Sequence, residues 1–192
     1  MIGMENPMTQ IDFEGIHFMM PTPFAADGSV DTGSIARLVD QAARSGCTGV
    51  VTLGVMGEAH RLMDAERAPI IEAVVNACSD RLTVTVGISG QSGVQVADRV
   101  REAQSIGATT VMASPPSLAK PNDAAVYAYY SRINDASTIP IVVQDLPEQT
   151  GVHMSAEFIA RLNADLHNAK YLKLEDPPTP PKISSVRRAS DD

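Results

Sequence analysis

The chain has 192 residues, a 44% hydrophobic share and a formal net charge of −8. That length and apolar content supply a large core and suit one globular domain, which excludes disorder of the whole. The acidic balance argues against nucleic acid and anionic membrane as partners, and the absence of Trp with only 4% aromatic residues leaves little for base stacking.

Residues 1–15 form an N-terminal segment, "MIGMENPMTQIDFEG", with no basic start and no apolar stretch of the kind a secretory signal carries. No apolar run in the chain approaches the ~20 residues needed to span a bilayer. The expectation is a cytoplasmic protein whose two cysteines, Cys47 and Cys78, are reduced thiols outside any metal motif. From residue 16 a rhythm begins. The run "IHFMM" (16–20) precedes "DTGSIARLVDQAARSG" (31–46), a helical pattern with Asp31 as candidate N-cap, apolar residues at 35, 38, 39, 42 and 43, and a stop at Gly46. "GVVTL" (49–53) precedes "DAERAPIIEAVVNACS" (64–79). Its first-turn acids suit the helix dipole, and its Pro69 predicts a kink or a later start. "LTVTVG" (82–87) is followed by "SGVQVADRVREAQSIG" (92–107), bracketed by Ser92 and Gly107. "TTVMAS" (109–114) is followed by "NDAAVYAYYSRINDAS" (122–137). "PIVVQ" (140–144) is followed by "SAEFIARLNADL" (155–166), and "KYLKL" (170–174) is a sixth strand.

Most of these strands are apolar on both faces, the mark of a parallel sheet covered on both sides. They recur about every thirty residues, the length of a βα unit. An open doubly wound sheet and a (β/α)8 barrel both fit. No G-x-G-x-x-G follows the first strand, where "MMPTPF" stands instead, so the dinucleotide-binding version of the open sheet loses its fingerprint.

Lys173 is the unusual residue, an ammonium inside a strand. One reading is a strand-end lysine that reaches solvent or pairs with Glu175 or Asp176. The other is an amine desolvated inside a barrel, lowered from its ordinary pKa of about 10.4 and able to attack a ketone and form a Schiff base. In "TLGVMGEAHRL" (52–62), Gly54 and Gly57 flank a tight loop that is either an ordinary βα turn or a set of amides aimed at an anion. "QDLPEQTG" (144–151) reads as a strand end and turn. His17, His60, His153 and His167 are scattered without ligand spacing, so neither metal nor cofactor is expected.

Taken in order, "MMPTPFAADGSVD", "GVVTLGVMGEAHRLMDAER", "IPIVVQDLPEQTG" and "YLKLED" resemble the dihydrodipicolinate synthase / N-acetylneuraminate lyase family, over about Ile16 to Asp176. The pattern G-x-x-G-E-x-x-x-L-x-x-x-E, here Gly54, Gly57, Glu58, Leu62 and Glu66, carries most of that resemblance. It implies a TIM (β/α)8-type barrel with its Schiff-base lysine on strand six, and counting strands independently places Lys173 there. It also implies a homo-oligomer that takes a small-molecule 2-oxo acid, with Gly54, Val55, Met56, Gly57 and Gln149 at the substrate and Lys173 and Gln144 as the catalytic positions.

The departures from the family pattern are specific. The usual G-T-T-G-E turn is Gly54-Val55-Met56-Gly57-Glu58, which keeps the amides and loses both hydroxyls. The usual Tyr-Asn-x-Pro of strand five is Gln144-Asp145-Leu146-Pro147. The tyrosine normally transfers protons, and an amide cannot act as general acid or base at neutral pH. Gln149 stands where a dihydrodipicolinate synthase has an arginine fork for a second carboxylate. "ASPPSLAKP" lacks the tyrosines common after strand four. The expected activity is therefore a Schiff-base (class I) lyase of aldolase or dehydratase type acting on pyruvate or another 2-oxo acid, dihydrodipicolinate synthase-like but not a true dihydrodipicolinate synthase. A full barrel takes about 250 residues. Only about six βα units are legible, residues 16–176, with 177–192 read as a Pro-rich loop, a first turn of helix six and a polar tail. Strands one and six are then open edges, and the alternative is a truncated, catalytically impaired barrel fragment or a non-catalytic binding protein.

Overall fold

The computed structural model describes residues 13–190. Its sheet has six parallel strands in the order β1 to β6: β1 His17–Met19, β2 Gly49–Thr52, β3 Thr83–Gly87, β4 Thr110–Ala113, β5 Ile141–Asp145 and β6 Ala169–Leu174. The connecting helices are α1 Ile35–Arg44, α2 Asp64–Cys78, α3 Gly93–Ile106, α4 Asp123–Ala136, the short α5 Pro147–Thr150, α6 Ala156–Asp165 and α7 Thr179–Ala189. Sequential parallel neighbours joined by helices make a curled, incomplete TIM (β/α)8-type barrel of six βα units; the strand rhythm predicts the parallel βα order, and the family resemblance the barrel.

The two-residue period of each strand divides the side chains between two cores. Phe18, Val50, Val84, Val86, Val111, Ala113, Ile141 and Val143 face the helices and pack with Ile70, Val74, Val100, Tyr130, Ile133 and Leu162. The alternate residues Val51, Met112 and Val142 cluster on the concave face with Met19, Tyr171 and Phe13. Phe13 stacks on Tyr171 with ring centroids 4.3 Å apart, covering the end of the lumen where the strands begin. In the same layer Thr85 and Thr110 satisfy each other, their Oγ1 atoms 2.5 Å apart.

The predicted cap Ser92 accepts from the amide of Gln95, and Asn122 and Ser155 likewise cap their helices, accepting from the amides of Ala125 and Phe158. Asp31 caps a 3-10 turn, Thr32–Ser34, that leads into α1. Pro69 neither delays nor ends α2, which runs from Asp64 with Asp64 and Glu66 in its first turn. Only the bond that Pro69 cannot donate to Ala65 is missing, and Ile70, Ile71 and Val74 beyond it are buried. At the other end of the chain the structure exceeds the expectation of a loop and one turn: α7 covers residues 179–189. Pro180 and Pro181 lie within its first turn, where a missing N–H costs nothing, so the prolines start the helix instead of forming the loop before it.

Candidate active site

All candidate residues sit at the carboxyl ends of the strands. A cavity of about 440 Å3 opens there, walled in part by Gly54, Val55, Gln144 and Gln149. Met56, Gly57 and Lys173 are not in its wall. Gly57 closes the turn instead: its amide donates to Gly54 O at 3.1 Å and its carbonyl accepts from Thr22 Oγ1 at 2.6 Å. Met56 is largely exposed.

The turn after β2 is tightly constrained. Leu53 enters it, buried, with φ 54°, and Glu58 leaves it with φ 53°; left-handed backbone is uncommon for such residues. The glycine at the end of β3 makes the turn possible, because a Cβ on Gly87 would lie 2.1 Å from Leu53 O. Arg67, buried in α2, donates to Gly87 O at 2.7 Å and holds that strand end in place. Burial, with Arg99 nearby, pulls the Arg67 guanidinium down to about 10. The outcome is a loop whose Glu58 amide is used internally, to Val55 O, whereas the amides of Val55 and Met56 donate to no carbonyl among the described residues. The remaining residues of the turn's sequence pattern are structural: Glu58 pairs with Arg61 at 2.8 Å, Glu66 accepts from the Met63 amide at 2.8 Å, and Leu62 packs against the core.

Lys173 lies on β6 in register with Gln144 on β5. It shares its strand face with Tyr171 and therefore with the concave cluster. Its side chain is 30% exposed and its Nζ stands 3.1 Å from Glu175 Oε1. Glu175 Oε2 in turn accepts from Gln144 Nε2 at 2.7 Å, and Gln144 is buried. Lys173 is paired with Glu175, as the first reading expects, and its strand face is that of the lumen. Asp176, the other acid considered, binds Lys182 instead.

The Asp145–Lys182–Asp176 group was missed. Lys182 Nζ on α7 lies 2.5 Å from Asp145 Oδ2 and 2.7 Å from Asp176 Oδ2. Asp145 is wholly buried, and its Oδ1 has no hydrogen-bond partner among the described residues. Burial raises the Asp145 carboxyl above its ordinary value, with Lys182 working against that rise. The bond to Lys182 holds Asp176 below the carboxylate range. Burial by itself would lower Lys182, but the two carboxylates outweigh it and raise the ammonium. The signal available was "LEDPPTPPK": an acid at each strand end and a lysine one helical turn into a segment read as loop.

The α4 tyrosines Tyr129 and Tyr130 are not at the site. Tyr130 is fully buried on the helix side, donates to Ala113 O at 2.9 Å, and has its phenol raised well above the ordinary value by burial. Tyr129 accepts from the Gly90 amide at 3.3 Å, and burial pushes it up to about 12. Residues with no sequence signal complete the cavity wall: Ser89 and Ser114, with Oγ atoms 3.2 Å apart, and Arg99, whose guanidinium donates to Asp64 and to Ser89 O. Among the described residues no three His, Cys, Asp or Glu side chains gather as metal ligands, and no helix is long and apolar enough to cross a membrane.

Comparison with known proteins agrees with this architecture. The L-2-keto-3-deoxyarabonate dehydratase of Azospirillum brasilense is 33% identical over 181 residues, 93% of this chain and 58% of that protein. The 4-hydroxy-tetrahydrodipicolinate synthase of Chlorobium phaeovibrioides is 30% identical over 166 residues, 86% of this chain and 56% of that protein. Among solved structures, dihydrodipicolinate synthase from Rhodopseudomonas palustris superposes with a TM-score of 0.84 at 32% identity, covering 92% of this chain and 58% of its own. The chloride-inhibited enzyme of Acinetobacter baumannii, complexed with pyruvate, gives 0.87 at 25% identity, covering 92% and 60%. The chain thus spans under two thirds of the length of these relatives. The model of the dihydrodipicolinate synthetase family matches residues 12–173, from before the first strand to the strand-six lysine, and the chain belongs to that family.

Proposed function

We propose that this protein is a Schiff-base-forming (class I) lyase of aldolase or dehydratase type, acting on pyruvate or another 2-oxo acid, and that it is not a dihydrodipicolinate synthase. The observation that carries the reading is the position of Lys173: near the carboxyl end of β6, facing the lumen, one strand from a residue in the cavity wall. Active sites of this architecture lie at that end of the barrel. In the proposed reaction the Lys173 amine adds to the C2 carbonyl and water leaves. The iminium then draws electrons from a bond at C3: cleavage of C3–C4 or loss of a C3 proton leaves an enamine, and that enamine can expel a C4 hydroxyl, which leaves as water on protonation, to give an unsaturated iminium. The iminium is the electron sink, so the scheme calls for no cofactor. The amides of Val55 and Met56 are the donors for the substrate carboxylate, with Gly54 and Gly57 setting their direction.

The rest of the wall favours a hydroxylated substrate over a second carboxylate. Gln149 replaces a guanidinium fork, Ser89 and Ser114 offer hydroxyls, and Arg99 is already bound to Asp64. The relative that dehydrates a keto-deoxy sugar acid supports the same class. On this reading the enzyme works in the cytoplasm as a homo-oligomer.

Incubation with pyruvate and borohydride should add mass at Lys173, and Lys173→Ala should abolish the adduct. Modification at Lys120 or Lys182 with Lys173 untouched would refute the assignment. Condensation of pyruvate with aspartate semialdehyde should be negligible; turnover in the ordinary range of ~1–10³ s⁻¹ would refute the substrate reading.

A further inference from the structure

A Schiff-base lyase must move protons at every step, and the tyrosine that usually does so is Gln144 here. We propose that Glu175 is the proton-transfer residue of this site, a role that rests on Lys173 being the reacting amine. Three observations converge. The Glu175 amide donates to Asp145 O at 2.9 Å, which continues the β5–β6 ladder one residue beyond β6. Strand parity therefore extends through residue 175 and sends its side chain to the same face as Lys173. One carboxylate oxygen stands 3.1 Å from Lys173 Nζ, within the reach that proton transfer requires. The other accepts from the buried Gln144 amide at 2.7 Å, which fixes the carboxylate without competing for the proton. The other nearby acids are occupied: Asp145 and Asp176 both bind Lys182. Tyr129 and Tyr130 are buried in the helix layer. The loss of the tyrosine and the presence of Gln144 become one change, in which the relay moves from β5 to the end of β6 and the old position becomes its bracket.

The proton count closes. The Glu175 carboxylate takes a proton from the Lys173 ammonium, and the free amine attacks C2. The carboxylic acid protonates the resulting alkoxide, and the carboxylate then takes a proton from the substituted nitrogen to give a neutral carbinolamine. The acid next protonates the departing hydroxyl. Water leaves, the iminium keeps one N–H, and Glu175 is again a carboxylate. It then removes a C3 proton to form the enamine, and returns it when the enamine is quenched.

The test separates this role from the lysine assignment. Exchange of the pyruvate methyl protons in D2O, followed by NMR, reads C3 proton transfer, and borohydride trapping reads the iminium. Glu175→Gln should still trap at Lys173 given time, while exchange per trapped lysine falls by about 10²–10⁴-fold, the usual contribution of a positioned acid–base group. Gln144→Leu, which frees the carboxylate without removing it, should slow exchange per trapped lysine by a smaller factor; it decides the matter should Glu175→Gln lose its circular-dichroism melt. Wild-type trapping with unchanged exchange in Glu175→Gln overturns this proposal alone, as does unchanged exchange in Gln144→Leu if Glu175→Gln does not fold. A wild-type chain that never traps overturns the lysine assignment and takes this proposal with it.

Discussion

Replacing Lys182 by methionine tests how the last helix is held. The substitution keeps most of the apolar stem and removes the ammonium, so packing is nearly conserved and charge is not. In the wild type that ammonium is the one hydrogen-bonding partner of the Asp145 carboxylate among the described residues, 2.5 Å away at a wholly buried site. Removing one member of a buried ion pair costs about 3–5 kcal/mol. The lower end applies here, because the Lys182 side chain is 16% exposed and Asp176 18% exposed, so water can reach part of the group. A loss of ~3 kcal/mol with an m-value of about 1–3 kcal/mol/M moves a urea midpoint down by about 1–3 M. Acid should shrink the deficit. Burial already raises Asp145, and losing Lys182 raises it further, so Asp145 in the variant takes up a proton as the pH falls and the uncompensated charge disappears. Asp176 has the opposite sign: its pairing stabilises the wild type above the ordinary carboxylate range and is lost as pH falls through its lowered value. The Asp145 trend narrows the gap between the two proteins near pH 4, and the Asp176 trend adds to it only at lower pH. Adding Asp145→Asn to Lys182→Met should recover part of the loss at pH 7. A deficit below ~1 kcal/mol at pH 7, or one equally large at pH 4, would refute the reasoning.

Gly87→Ala should lower stability by about 1–3 kcal/mol and raise the pyruvate concentration needed for half-maximal trapping, because the new Cβ meets backbone, Leu53 O, that positions the turn after β2; equal melting and equal trapping would show that the turn relaxes freely. Tyr130→Phe should cost about 1–3 kcal/mol in urea melts by leaving the buried Ala113 carbonyl without its donor, with trapping and exchange unchanged per folded molecule. A collapse of exchange in that variant would return the relay to a tyrosine.

The parallel βα sheet was legible because its strands are apolar on both faces, while the choice of a barrel over an open doubly wound sheet rested on the family resemblance. Val84, Val86, Val111 and Val143 are buried, and no other common arrangement asks for such runs every thirty residues or so. Lys173 was legible for the opposite reason, as a charge where that pattern forbids one. The helix α7 was not legible. None of its residues is buried, so it carries no apolar stripe, and its prolines read as loop unless the first-turn exception is applied. The cavity serines and Arg99 were invisible because they come from different loops, and only the folded sheet brings them together.

The ends of β5 and β6 show how a two-residue period can separate two charge systems that are adjacent in sequence. Gln144, Lys173 and Glu175 share the lumen face, while Asp145, one residue beyond Gln144, points to the helices and meets Lys182. A one-residue register slip of β6 would exchange the two sets, bringing Lys173 toward the helix layer and Leu174 into the lumen. The Lys182 pair opposes that slip. It ties α7, the element that follows β6, to Asp145 at the end of β5 in the native register. A buried ion pair is weak support for stability as such, and fixing a register is the use for which it is best suited. The structural pair and the proposed Schiff-base lysine are then linked: the first sets the face on which the second is presented. If so, Lys182→Met should affect pyruvate trapping through heterogeneity, giving a fraction of chains that never trap and a remainder that traps at the wild-type rate. A uniform slowing across all molecules would show instead that Lys182 acts on the Lys173 amine directly.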